Sequence, residues 1–152
     1  MTKTDGAMPS VFICCVRGRI AYVKSFDRET FERELRRINE LALWDYEISA
    51  AGDGTLLILG SNDFVYYHYL EIEFGHVTFC DLPAHFSHAE FRLGNSDEQA
   101  TIWVTAESWS EDGRKEHEIR ASEIAVRIGR VYYYERENLQ PGERIASRKT
   151  RG

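Results

Sequence analysis

The chain holds only three cysteines in 152 residues, Cys14, Cys15 and Cys80, so a disulfide framework is excluded as the source of its stability. Cys14 and Cys15 are neighbours, and a bridge between adjacent cysteines needs a strained peptide geometry, so reduced and partly buried thiols are expected. No apolar run approaches the ~20 residues of a membrane span. The opening MTKTDGAMPS lacks the apolar centre of a signal peptide. A cytoplasmic protein without a membrane partner is the resulting expectation. Positive charge is also in deficit, with 19 Lys and Arg against 25 Asp and Glu and a net charge of −6. Residues 141–152 carry four basic residues and one acid, so that segment is +3 and the remainder −9. An acidic body repels phosphate backbones, which argues against nucleic acid, and steers basic partners toward it.

Catalytic signatures are missing as well. There is no G-x-S-x-G elbow. Ala51-Gly52-Asp53-Gly54-Thr55 lacks the lysine and following helix of a P-loop, and reads as a tight turn. Ser87-His88 are adjacent, which does not by itself put the hydroxyl on the imidazole. The spacing D-x3-H-x2-H of Asp81, His85 and His88, beside Cys80, is half of a metal site, and nothing supplies the second half unless His68 or His117 folds in. A polar loop is the simpler reading, and no metal or other cofactor is expected.

What the chain does have is strand-forming sequence. Aromatic residues make up 12% of it, which favours sheet over helix. From Phe64 to Asp81 large apolar and polar residues alternate, and Gly75-His76 supplies a two-residue turn, so a long β-hairpin is expected with Phe74 opposite Val77 and Ile72 opposite Phe79. Its outer face would carry Tyr67, Tyr69, Glu71, Glu73, Thr78 and Cys80. Further strands are read at 11–16 and 19–24, joined as a hairpin, at 44–49 and 55–59 around Gly52-Asp53-Gly54, and at 89–93. Asp112-Gly113 reads as the turn between strands 100–109 and 115–121, and Gly129-Arg130 as the turn of a last hairpin over 124–135. One amphipathic helix is expected from a cap at Ser25 or Asp27 to about Leu43, with Phe31, Leu35 and Ile38 inward and Glu32, Arg33, Glu34, Arg36 and Arg37 outward.

The fold expected from this is α+β. It is a strongly twisted, mostly antiparallel sheet of about eight to ten strands, curling into a partial barrel or splitting into two packed sheets, with a single packed helix. Residues 1–10 read as a flexible leader, 11–139 as one domain and 140–152 as a basic mobile tail. A monomer or homodimer is expected, the dimer through an open edge strand at 131–135.

The functional expectation is a non-catalytic module that binds a more basic protein and neutralises or chaperones it, as an immunity protein does. Its contact residues would be Tyr67, Tyr69, Glu71 and Glu73 on one strand, and Trp103, Glu107 and Trp109 on another. On the second strand Ile102, Val104 and Ala106 would face the core, leaving both tryptophans outward. The alternative is a small-ligand protein or small enzyme with a cavity between curved sheet and helix, lined by His68, Tyr66, Tyr22 and Trp44.

Overall fold

The computed structural model describes residues 11–16 and 19–146; for 11–24, 111 and 112 it describes the course of the backbone alone. The leader 1–10, the side chains of Cys14, Cys15 and Tyr22, and the tail beyond 146 therefore lie outside the described residues. Strands β1 (Val11–Val16) and β2 (Arg19–Lys24) pair antiparallel as the expected hairpin. Helix α1 (Arg28–Leu41) follows, capped by the Asp27 carboxylate, which accepts from the Glu29 N–H, and closed by Ala42 in the left-handed conformation. Phe31, Leu35 and Ile38 are buried, as their spacing requires. Glu34 departs from expectation: it is buried too, bonded by Arg37 at 2.7 Å and Arg33 at 3.3 Å.

The remaining strands are β3 (Asp45–Gly52), β4 (Thr55–Ser61), β5 (Tyr67–Gly75), β6 (Phe79–Cys80), β7 (His85–Leu93), β8 (Ala100–Ser108), β9 (Glu111–Ala121), β10 (Glu123–Tyr132) and β11 (Arg144–Ile145). They form one nine-stranded sheet in the order β11-β10-β5-β4-β3-β7-β8-β9-β6, antiparallel except for the β10–β11 pair. The fold is thus α+β with a twisted sheet that does not close into a barrel. β3 and β4 meet at Asp53-Gly54, both at positive φ (53° and 76°), the two-residue turn that suits the strand twist.

Two expected hairpins are not formed. After Gly75 the chain does not fold back on β5, because both edges of β5 are already occupied, by β4 and by β10. It crosses instead to the far end of the sheet, where Phe79 and Cys80 pair with Arg120 and Ile119 of β9. The positive φ at this turn falls on His76 (52°) rather than on Gly75. The chain crosses back through Ser122, the single residue between β9 and β10. The two crossings are stitched together: Thr78 N–H donates to Arg120 O, Ser122 N–H to Gly75 O, and the Gln99 amide to His76 O and Ser122 Oγ. A strand-to-strand twist of roughly 20° accumulated over the sheet brings its ends this close.

The second missing hairpin is at Gly129-Arg130. β10 runs straight through these residues, opposite β5, with a bulge where Ile128 pairs Leu70 and Val131 pairs His68. Gly129 sits at φ 151° with Gly142 O only 2.6 Å from where a β-carbon would stand. This is a place that only glycine fits. The edge expected to be open at 131–135 is covered at Val131 and Tyr132 by β11, and Ala146 N–H donates to Tyr132 O, so residues 140–146 of the expected tail lie on the sheet. Likewise the turn between β8 and β9 is Trp109-Ser110; Asp112-Gly113 fall inside a shift of register, since Ser108 opposes Glu111 but Glu107 opposes Arg114.

One core unites the sheet and helix. Phe31, Leu35 and Ile38 of α1 pack with Leu56, Ile58, Leu70, Ile72, Phe74, Phe86, Phe91, Ile102, Val104 and Ile119. α1 touches both β7 and β10, which are far apart in the strand order, so it lies across the mouth of the curled sheet. Among the described residues, no helix is long and apolar enough to cross a membrane.

Candidate functional site

The outer face of β3, β7 and β8 carries the most chemically distinctive surface. It starts from register. Asp45 pairs with Ser87, Ser87 with Glu107 and Glu47 with His85, so these side chains stand on one face of three adjacent strands. β7 is bulged against β8 between Ser87 and Glu90, and His88 inside the bulge has φ 51°, a conformation that costs a non-glycine residue free energy. The bulge re-aims His88 against Trp44, with ring centroids 5.9 Å apart. His85 stacks flat on Trp109, 4.6 Å between centroids at an interplanar angle of 12°. Both indoles remain largely in solvent, Trp44 at 63% and Trp109 at 64% exposure.

The two tryptophans are held differently. Trp109 Nε1–H donates to Ser87 Oγ (3.1 Å), whose own O–H donates to Asp45 Oδ1 (2.7 Å). Trp44 is held through its backbone, its N–H donating to Asn62 Oδ1 and its carbonyl accepting from His88 N–H. Arg114 Nη1 and Nη2 donate to the carbonyls of His88 and Thr105, which ties β9 to the bulge. The result is two exposed tryptophans, the Trp109 indole hydrogen-bonded in place and Trp44 against His88, beside the carboxylates of Asp45, Glu47 and Glu107.

Three separate sequence readings meet here. Glu107 and Trp109 came from the partner-binding set, Trp44 from the ligand-binding set, and His85 and His88 from the metal spacing. The structure does not assemble the metal set: Asp81 accepts from Glu118 N–H and faces His117 at 4.0 Å, while His85 and His88 are engaged with the tryptophans. No group of three or more His, Cys, Asp or Glu that could hold a metal occurs among the described residues. Ser87 gives its proton to Asp45 and not to His88. The sequence does not single out Asp45, Glu47 or Arg114, and offers Ser87 only as a nucleophile beside His88, because their roles depend on cross-strand register that no local pattern carries. Trp103 is outward but half-buried, its indole over Gly94, so it is no part of the exposed patch.

The β5 set divides differently. Glu71 was expected on an open acidic surface and is instead 8% exposed. His68 Nε2 lies 2.7 Å from Glu71 Oε2, Arg144 Nη2 2.5 Å from the same oxygen, and Arg127 Nη2 3.0 Å from Oε1. The His68 hydrogen bond, helped by the two guanidinium groups against the cost of burial, pulls the Glu71 carboxyl down to about 2. An ionised carboxylate only accepts, so Nε2 carries a proton, and in the neutral ring Nδ1 accepts the Tyr133 O–H at 2.7 Å. His68 and Glu71 are three apart on a strand, which a regular pleat would put on opposite faces; they meet where β10 bulges alongside. Glu73 is exposed, while Tyr67 and Tyr69 are half-buried. Tyr67 packs beside Tyr132 and under Arg130.

Of the ligand-binding set, Tyr66 and His68 are linked through Tyr133, whose N–H donates to Tyr66 O. Val65, Tyr66, Tyr133 and Tyr134 line an open groove of about 470 Å³. Trp44 stands instead in the β3–β7–β8 patch. No protein-family model, no curated protein and no solved structure matches this chain.

Proposed function

We propose that this protein is a non-catalytic binding module that takes a more basic protein as partner, through the outer face of β3, β7 and β8, and neutralises or chaperones it. The observation that carries the reading is the pair of tryptophans at 63% and 64% exposure beside three carboxylates, with the Trp109 indole hydrogen-bonded in place. Large rigid aromatics contribute binding free energy with little loss of side-chain freedom, and they are enriched where protein interfaces are strongest. The net charge of −6 adds long-range attraction for a basic surface. The bulge and the positive φ of His88 cost stability in the free protein, which is typical of a surface shaped for a purpose other than folding.

The test is purification of the tagged protein from its native host at low salt, side by side with the Trp44→Ala/Trp109→Ala variant. A stoichiometric basic protein retained by the wild type, lost by the variant and released by salt supports the reading.

A second reading rests on the groove of about 470 Å³ beside the His68–Tyr133 pair, which suits a small apolar or aromatic ligand. A compound that raises the melting temperature of the wild type, and not of Tyr66→Ala, would support it.

A further inference from the structure

We propose that Trp109 and the carboxylates around it form a receptor for an arginine side chain on the partner. This deepens the partner-binding reading and rests on it.

His85 covers one face of the Trp109 indole. With the residue still 64% exposed, the opposite face is open to solvent, and the Nε1–H bond to Ser87 keeps the ring from swinging away. A flat aromatic face fixed in water is a platform for a planar cation.

The acids beside it are incompletely satisfied. Glu47 Oε2 stands 3.7 Å from His85 Nδ1, and Glu107 Oε2 stands 3.7 Å from Arg114 Nη1, both beyond hydrogen-bond length. Arg114 is instead turned to the backbone, its Nη1 and Nη2 each donating to a carbonyl, of His88 and of Thr105. His88 Nδ1 reaches Glu107 at 3.3 Å, but the side chain remains half-exposed. Asp45 accepts from Ser87, while Glu47 and Glu107 stand 3.7 Å from His85 and Arg114, so the three carboxylates leave the patch with acceptor capacity.

A guanidinium fits both parts at once. It is planar and weakly hydrated, so it stacks on the open indole face, and its fork of N–H donors matches carboxylate oxygens at the rim. An ammonium group has the charge without the plane or the fork.

The direct test adds three short peptides, Gly-Arg-Gly, Gly-Lys-Gly and the citrulline counterpart, all end-capped, to the full-length protein. The indole N–H signals of its three tryptophans are followed by nitrogen–proton correlation NMR. The expected result is a saturable shift of the Trp109 signal with the arginine peptide, binding about fivefold weaker with lysine, and none with citrulline, which keeps the shape and loses the charge. Glu47→Gln/Glu107→Gln should weaken the arginine response without lowering the melting temperature. A lysine or citrulline peptide that binds as well as arginine overturns the proposal. If no peptide moves Trp109 while capture of the basic partner still depends on Trp44 and Trp109, the arginine receptor falls and the partner-binding reading stands. If capture does not depend on those tryptophans either, both fall.

Discussion

His88 and Glu71 show how single residues set the balance between folding and use. His88 holds φ 51° within a bulge, at a cost a glycine would not incur. Relief of that conformation is partly offset by the freedom glycine gains in the unfolded chain, so His88→Gly should raise stability by at most about 1 kcal/mol in denaturant titration. It should also weaken partner capture, because the ring that packs beside Trp44 is gone. Glu71 is the counterpart, a buried charge held by one histidine and two arginines. Glu71→Gln takes the charge out of the hydrogen bonds made by His68 and Arg144, and because both guanidiniums stay within reach of water a loss of roughly 1–3 kcal/mol is expected. The same group sets an acid limb. Its carboxyl is lowered from the usual 4.5 to about 2, so the folded state favours the ionised form more than the unfolded state does. That contribution is complete above pH 4.5 and is lost as pH falls from there toward 2. Wild type minus Glu71→Gln stability, measured across that window, should shrink as pH falls. A constant difference would contradict the assignment. Glu71 is thus a poor probe of surface charge, and Glu73 is the exposed one of the pair.

At the scale of elements, local signals were legible and pairing was not. The 3–4 spacing of Phe31, Leu35 and Ile38 with an Asp27 cap identifies α1, and alternation identifies which face of β8 is inside. Asp53-Gly54 is a true turn because positive φ at two successive residues is written in the residue types themselves. Gly75-His76 and Gly129-Arg130 look equally like turns, yet the first begins a crossing of the sheet and the second is a bulge. Which strands β5 pairs with is decided by the whole sheet, and the two flanking residues carry no trace of it. The candidate site suffers the same limit: Trp109, Glu107, Trp44, His85 and His88 were each visible, and their assembly was not, because it needs the register of β3, β7 and β8. The bulge in β10 gives an element-scale prediction. Gly129→Ala would drive a β-carbon into Gly142 O, so the 140–146 segment must shift. The amide of Ala146, bonded to Tyr132 O, should then exchange with solvent much faster than in the wild type, while amides of the central strands β4 and β5 keep most of their protection.

For the whole molecule, the curled sheet separates what the sequence reading had grouped. β5 and β8 have β4, β3 and β7 between them, roughly 19 Å along the sheet at 4.8 Å per step. Tyr67, Tyr69, Glu71 and Glu73 therefore do not share a surface patch with Glu107 and Trp109. The two crossings meet where Ser122 N–H donates to Gly75 O, and one helix lies over the core between β7 and β10. Among the described residues the surface carries an aromatic patch at Trp44 and Trp109 and, elsewhere, a tyrosine-lined groove. A charge of −6 acts mainly on the rate of encounter, so salt should slow association with the basic partner more than it speeds dissociation.

Binding of a basic protein by the Trp44–Trp109 face is the proposal on which the rest depends. It is tested most directly by measuring the affinity of the protein co-purified at low salt for the wild type and for Trp44→Ala/Trp109→Ala, with the melting temperature of each recorded. A loss of at least about 30-fold in affinity is expected, from two hot-spot side chains at more than 1 kcal/mol each, with melting unchanged because both indoles are exposed. Equal affinity of the two proteins would contradict it.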